Sequence, residues 1–130
     1  MPLYITTLYA LPLILIWFIL WVRVAKSHAT HNVLIGDGGS KELLSCIRHH
    51  GNFIEWVPFM LILMMLAELQ GAPQSWLYAA GGLLLLGRVV HPFGLKAENP
   101  GHSLRYVGNG SNWLAVAILG AALVRIVTGL

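Results

Sequence analysis

Leu3 to Val22 reads LYITTLYALPLILIWFILWV, an unbroken stretch with no charged residue. A helix needs roughly 20 such residues to cross the hydrocarbon core of a bilayer, so this stretch reads as a transmembrane helix and puts the chain in lipid. A cleaved signal peptide has a basic start, a shorter apolar run and a small-residue cleavage site. The stretch has none of these, and we expect it to stay in the mature protein. The composition agrees: of 130 residues, 57% are hydrophobic and only 10% charged, against about a quarter charged in soluble domains. Mean hydropathy is +0.72, and a water-soluble fold of this size cannot bury so much apolar surface.

Outward from that helix, Arg23 to Ser40 (RVAKSHATHNVLIGDGGS) is polar, ends in glycines and reads as a loop. Glu42 to Leu69 carries one long helical pattern. Its second half, VPFMLILMMLAEL, is apolar, whereas its first half holds Arg48, His49, His50, Asn52 and Glu55. The pattern is longer than a bilayer span, so the helix should begin above the membrane surface and bend near Pro58. QGAPQS (Gln70 to Ser75) is a turn. A third helix follows in WLYAAGGLLLLGRVVHPF, where Ala79, Ala80, Gly81, Gly82 and Gly87 permit close helix contact. After the loop Gly94 to Ser103, Arg105 and Tyr106 lead into a fourth helix. The expected fold is an all-α integral membrane protein of one domain over 1–130, a bundle of four transmembrane helices at about 3–25, 42–69, 75–93 and 106–128.

Charge and cysteine usage remove several classes. Eight Lys and Arg against five Asp and Glu leave a net charge of +3, spread thinly rather than gathered into a stripe, so no nucleic-acid partner is expected. Cys46 stands alone and cannot form an internal disulfide, and no Cys/His spacing suits zinc. His28 and His31 fall in the loop without an acidic partner, and His49 and His50 point to different faces, so no metal site is expected. The order GxxxxGK[ST] is absent around Lys41, which argues against a phosphate loop.

Basic residues favour the cytoplasmic side. Arg23, Lys26, Lys41, Arg48, Arg88, Lys96 and Arg105 lie in or beside the first and third loops, and only Arg125 lies near the other face. Both termini should then face away from the cytoplasm. Trp17, Trp21, Trp76 and Trp113 fall near predicted helix ends, where an interfacial aromatic belt belongs.

With that topology Arg48, Asn52, Glu55, Arg88, His91 and Arg105 share a membrane depth and can converge. The spacing 48, 52, 55 is i, i+4, i+7 and forms one stripe on helix two, while 88 and 91 share a face of helix three. Ionisable groups at such depth pair inside the bundle or line a polar cavity. One reading is structural, with Glu55 neutralising an arginine to hold helices together. The other is a cavity, since the arginines outnumber the carboxylate and leave positive charge for an anionic ligand.

The segment CIRHHGNFIEWVP, Cys46 to Pro58, resembles the helix-two pattern of the membrane-associated proteins in eicosanoid and glutathione metabolism, the MAPEG family, in its small bacterial members. LLLGRVVH, Leu84 to His91, resembles that family's helix-three ending. The resemblance covers nearly the whole chain. It implies a homotrimer in a bacterial inner membrane that binds glutathione between neighbouring subunits near the cytoplasmic face. By the same likeness Arg48, Asn52, Glu55 and His91 are glutathione ligands, Arg88 and Arg23 supports, and Arg105 the catalytic group beside the sulfur. A free thiol with a pKa near 8.5 is mostly protonated at neutral pH, and an adjacent arginine lowers it. The implied activity is a glutathione transferase, or glutathione peroxidase, acting on a hydrophobic small molecule or lipid hydroperoxide that enters from the membrane lipid. Gly51 stands where some members have a second arginine, and Tyr106 where the prostaglandin-synthase branch has a small hydroxyl residue, which argues against an eicosanoid substrate. Two other classes compete: a non-catalytic lipid-binding scaffold of the same fold, and a transporter using Glu55 and the histidines as a proton relay.

Overall fold

Long apolar runs punctuated by glycine, asparagine and proline dictate helices with short connections. The structure, a computed structural model, describes residues 3–95, 99 and 101–129. Among them four helices follow one another: α1 Tyr4–His31, α2 Lys41–Leu69, α3 Gln74–Gly94 and α4 Ser103–Thr128. Each is long and apolar enough to cross a membrane. Lys96, used in the charge count above, lies outside the described residues.

The first helix does not stop near residue 25. RVAKSHATH contains neither glycine nor proline and is rich in helix formers, so the helix continues to His31. Asn32 ends it in the left-handed conformation at φ 53°. Its N–H bonds to the Ala29 carbonyl and that of Val33 to the His28 carbonyl, a Schellman closure. His28 and His31 are therefore helical rather than in a loop, and His31 has an acidic partner, Glu42, Nε2–Oε2 3.7 Å. His28 Nδ1 donates to the Val33 carbonyl at 2.7 Å, and His31 Nδ1 to the Ser27 carbonyl at 2.8 Å. The connection to α2 is correspondingly short. Ser40 caps α2 by accepting the Leu43 N–H. The fourth helix likewise begins earlier than expected, at Ser103, because His102 caps it through the Leu104 N–H. Arg105 thus belongs to its first turn.

Cross-contacts fix an up-down arrangement. Glu68, at the end of α2, accepts the N–H groups of Ile5 and Thr6 at 2.7 Å each, and the Thr6 hydroxyl at 2.6 Å. It thereby satisfies donors that the start of α1 would otherwise leave open. His49, near the start of α2, bonds the Leu95 carbonyl just past α3. The loop 32–40, Leu95 and the start of α4 therefore lie at one end of the bundle, and the start of α1 and the turn at Gln70–Pro73 lie at the other.

The core is apolar and tight: Met60, Met64, Ala67, Leu77, Ala80, Leu84, Ala115 and Leu119 are at most 1% exposed. The outward faces carry Leu11, Ile14, Leu15, Phe18, Leu114 and Val124 in the open, as lipid-facing helices require. Small residues set the helix spacing. Gly81 faces the Tyr9 ring of α1, while Gly87 meets Asn112 and the Gly108 carbonyl of α4. A Cβ on Gly94 would strike the Arg105 backbone nitrogen. Of the expected aromatic belt, Trp76 lies in the first turn of α3. Trp113 instead lies well inside α4 and packs edge-on against Trp56, ring centres 5.3 Å apart. Trp17 and Trp21 are interior to α1 because that helix runs on to His31.

Candidate functional site

The stripe on α2 forms as its spacing requires. Arg48 and Glu55 sit two turns apart on one face and form an ion pair, Nη2–Oε1 3.5 Å, with both side chains about half exposed (51% and 54%). Asn52 lies between them in sequence and turns to α3. Its Oδ1 accepts Arg88 Nη1 at 2.6 Å, and its carbonyl accepts the same nitrogen at 3.3 Å.

Arg88 is 2% exposed. Its guanidinium lies 6.0 Å from the centre of the Trp56 ring, within cation–π range. Its Nε and Nη2 have no hydrogen-bond partner among the described residues. A buried guanidinium with one nitrogen engaged and two unengaged is an expensive arrangement, of a kind that accumulates at functional sites rather than in stability cores.

His91, one turn beyond Arg88, is also 2% exposed. Gly108 of α4 leaves room for it, since a Cβ there would come within 2.9 Å of the His91 Cβ. Arg48, Arg88, His49 and Arg105 lie within electrostatic reach of His91. Arg105 reaches this group because the Gly94 backbone lets the first turn of α4 close against the end of α3. The loop-side half of the bundle therefore carries Arg48, Asn52, Glu55, Arg88, His91 and Arg105, from α2, α3 and α4.

Arg23 goes elsewhere. It lines a cleft of about 720 Å³ between α1, the start of α2 and the end of α3, with Lys26, Ser27, Lys41, Glu42, Cys46 and His49 among the walls. The extension of α1 to His31 builds one wall of this cleft, a feature that reading 23–40 as a loop could not supply. The sequence reading also missed three polar residues. His49 is 6% exposed and uses Nε2 on the Leu95 carbonyl, while its Nδ1 has no partner among the described residues. Asn112 is wholly buried, with neither side-chain polar atom engaged among the described residues. Glu68 clamps α1. For His49 the available signal was its i+3 spacing from Cys46, which puts both on the cleft side of α2. Asn112 and Glu68 gave none, because what surrounds them comes from other helices.

Fold and polar cluster together define an integral membrane protein of four apolar helices with a charged group at one end. Residues 6–125 match the model of the MAPEG family, and the chain belongs to that family. It is 34% identical over 99 residues to the inner membrane protein YecN of Escherichia coli K12, an alignment covering 74% of this chain and 72% of that protein. It matches YecN of Escherichia coli O6:H1 to the same extent. No solved structure matches it significantly.

Proposed function

We propose that the protein is a membrane-bound glutathione transferase, or glutathione peroxidase, of the bacterial inner membrane. Its site would open to the cytoplasmic side and its termini would lie on the other. The observation that carries this reading is the Arg48–Asn52–Glu55 stripe backed by the partly unengaged, buried Arg88, in a chain of the MAPEG family. Glutathione offers two carboxylates, an ammonium and a thiol. Arg48 suits a carboxylate by paired N–H donation, and Glu55 suits the ammonium or orients an arginine, with the buried Arg88 as a support behind them. Asn52 holds Arg88 in place, and His91 contributes a ring nitrogen beside them.

Arg105 would hold the glutathione sulfur as thiolate, the form that attacks. An apolar electrophile or lipid hydroperoxide would reach it from the bilayer, and holding two reactants together supplies much of the acceleration. In the transferase reaction the thiolate forms a bond to the electrophilic carbon and the leaving group departs with its electron pair.

The same stripe supports a contact with a neighbouring subunit, as in the homotrimer that the family resemblance implies. Glu55 lies about 20 Å along α2 from its start at roughly 1.5 Å per residue, and it remains half exposed. In a lone protomer that charge would meet lipid, at about 2.5–3.5 kcal/mol near the bilayer centre. A neighbouring subunit covering it removes that cost and completes the pocket. Arg23, in the separate cleft of its own protomer, would support glutathione only from the adjacent one.

The test is calorimetric titration of glutathione into the detergent-purified protein. Saturable binding that Arg48→Ala and Glu55→Ala abolish supports the site. Conjugation lost in Arg105→Ala while glutathione still binds supports the thiolate role. A folded wild-type protein that gives no heat with glutathione is instead read as a lipid-binding scaffold.

A further inference from the structure

The α1–α2–α3 cleft is not used by the glutathione reading except at Arg23. It holds about 720 Å³, within the roughly 300–1,000 Å³ common for ligand pockets. Its cations are Arg23, Lys26 and Lys41, and none of their side chains has a hydrogen-bond or ion-pair partner among the described residues. The lining carboxylate, Glu42, is drawn to His31 instead, Oε2 to Nε2 3.7 Å. The capped start of α2 adds the positive end of its dipole at the same place, since Lys41 and Glu42 of its first turn are cleft walls. Like charges facing one another across a cleft repel, and a bound anion removes that repulsion.

The location narrows the anion. The cleft lies at the ends of membrane-crossing helices, where headgroups begin, and basic pockets between such helices are suited to phosphate-bearing headgroups. A carboxylate satisfies one arginine fork, whereas a phosphate offers more oxygens and suits an arginine together with lysines. Pro92 and Phe93 give the cleft an apolar wall. In the adjoining loop Leu34 and Ile35 are 96% and 92% exposed, which suits a segment resting at the lipid surface.

We propose that this cleft binds a phosphate group, carried by an anionic phospholipid or free in solution. The Arg23 guanidinium takes two phosphate oxygens, and Lys26 and Lys41 neutralise the remaining charge. The site lies apart from the Arg48–Asn52–Glu55 stripe and shares only Arg23 with the glutathione reading.

The experiment uses the full-length protein in a non-ionic detergent. Native mass spectrometry compares retention of phosphatidylglycerol with that of phosphatidylcholine, and calorimetry titrates inorganic phosphate. Lys26→Gln/Lys41→Gln is the variant, with Lys26→Gln alone as the second should the double substitution fail to fold. Preferential retention of phosphatidylglycerol assigns a lipid headgroup, and heat with inorganic phosphate without that preference assigns the free anion. In either case the double variant should weaken binding at least about tenfold and leave the glutathione titration as in wild type. Equal retention of both lipids with no phosphate heat overturns the proposal, as does a double variant that binds like wild type. Loss of glutathione binding in the variant also overturns it, because the cleft would then be part of the glutathione site.

Discussion

The two ends of the bundle are built on opposite principles. At the end holding the chain's start, the carboxylate of Glu68 is matched by three donors from Ile5 and Thr6, and Met64, Ala67 and Leu77 beneath it are at most 1% exposed. At the loop end, Arg88, His49 and Asn112 are buried with atoms unengaged among the described residues, and Arg23, Lys26 and Lys41 crowd a cleft. Satisfied polar groups and dense packing give stability, whereas unsatisfied ones reserve interaction energy for something that arrives later. The fold therefore concentrates its satisfied polar contacts at one end and its unengaged charge at the other.

Substitutions can break this contrast, and their effects should fall in order. Met64→Ala opens a hole at the closed end. It should cost about 2–5 kcal/mol, towards the lower part of that range because lipid rather than water surrounds the bundle, and should lower the thermal unfolding midpoint in detergent without changing glutathione affinity. Asn52→Ala removes the 2.6 Å acceptor from Arg88. A lost hydrogen bond to a buried charged group is worth about 1.5–3 kcal/mol, so both stability and glutathione affinity should fall. If stability fell and affinity held, Asn52 would be a structural strut alone. Glu68→Ala strips the clamp from α1 and should destabilise by about 1–2 kcal/mol, with hydrogen exchange rising at Ile5 and Thr6 and glutathione titration unaffected. Arg48→Ala, on a half-exposed side chain, should move stability by less than about 0.5 kcal/mol yet abolish glutathione binding. A large stability loss in Arg48→Ala would show that the stripe is a structural network instead.

Much of the fold could be read from the chain because lipid imposes a simple demand: a crossing segment must be long, apolar and helical. Leu3–Val22 and the second half of α2 meet that demand openly. The end of α1 was misread for the same reason, since RVAKSHATH has no apolar run and its helicity comes from propensity and the closure at Asn32. Within the site, i, i+4, i+7 spacing predicted that Arg48 and Glu55 would share a face, and equal depth brought Arg88 to Asn52. Depth could not place Arg23, because depth says nothing about direction around a helix axis. Glu68 and Asn112 were unreadable because their surroundings come from remote helices rather than from neighbours in sequence.

The attachment of α1 has a mechanical consequence. Its buried residues Ile5, Leu13, Leu20 and Ser27 form one thin seam, and its start is pinned by Glu68. A rod of 28 residues at roughly 1.5 Å per residue is about 42 Å long, with one end at the clamp and the other forming a wall of the cleft. Tilting it by about 5° swings the His31 end by about 4 Å, more than the length of a hydrogen bond. The width of the cleft at the charged end is thus geometrically tied to the angle at which α1 leaves the clamp at the quiet one.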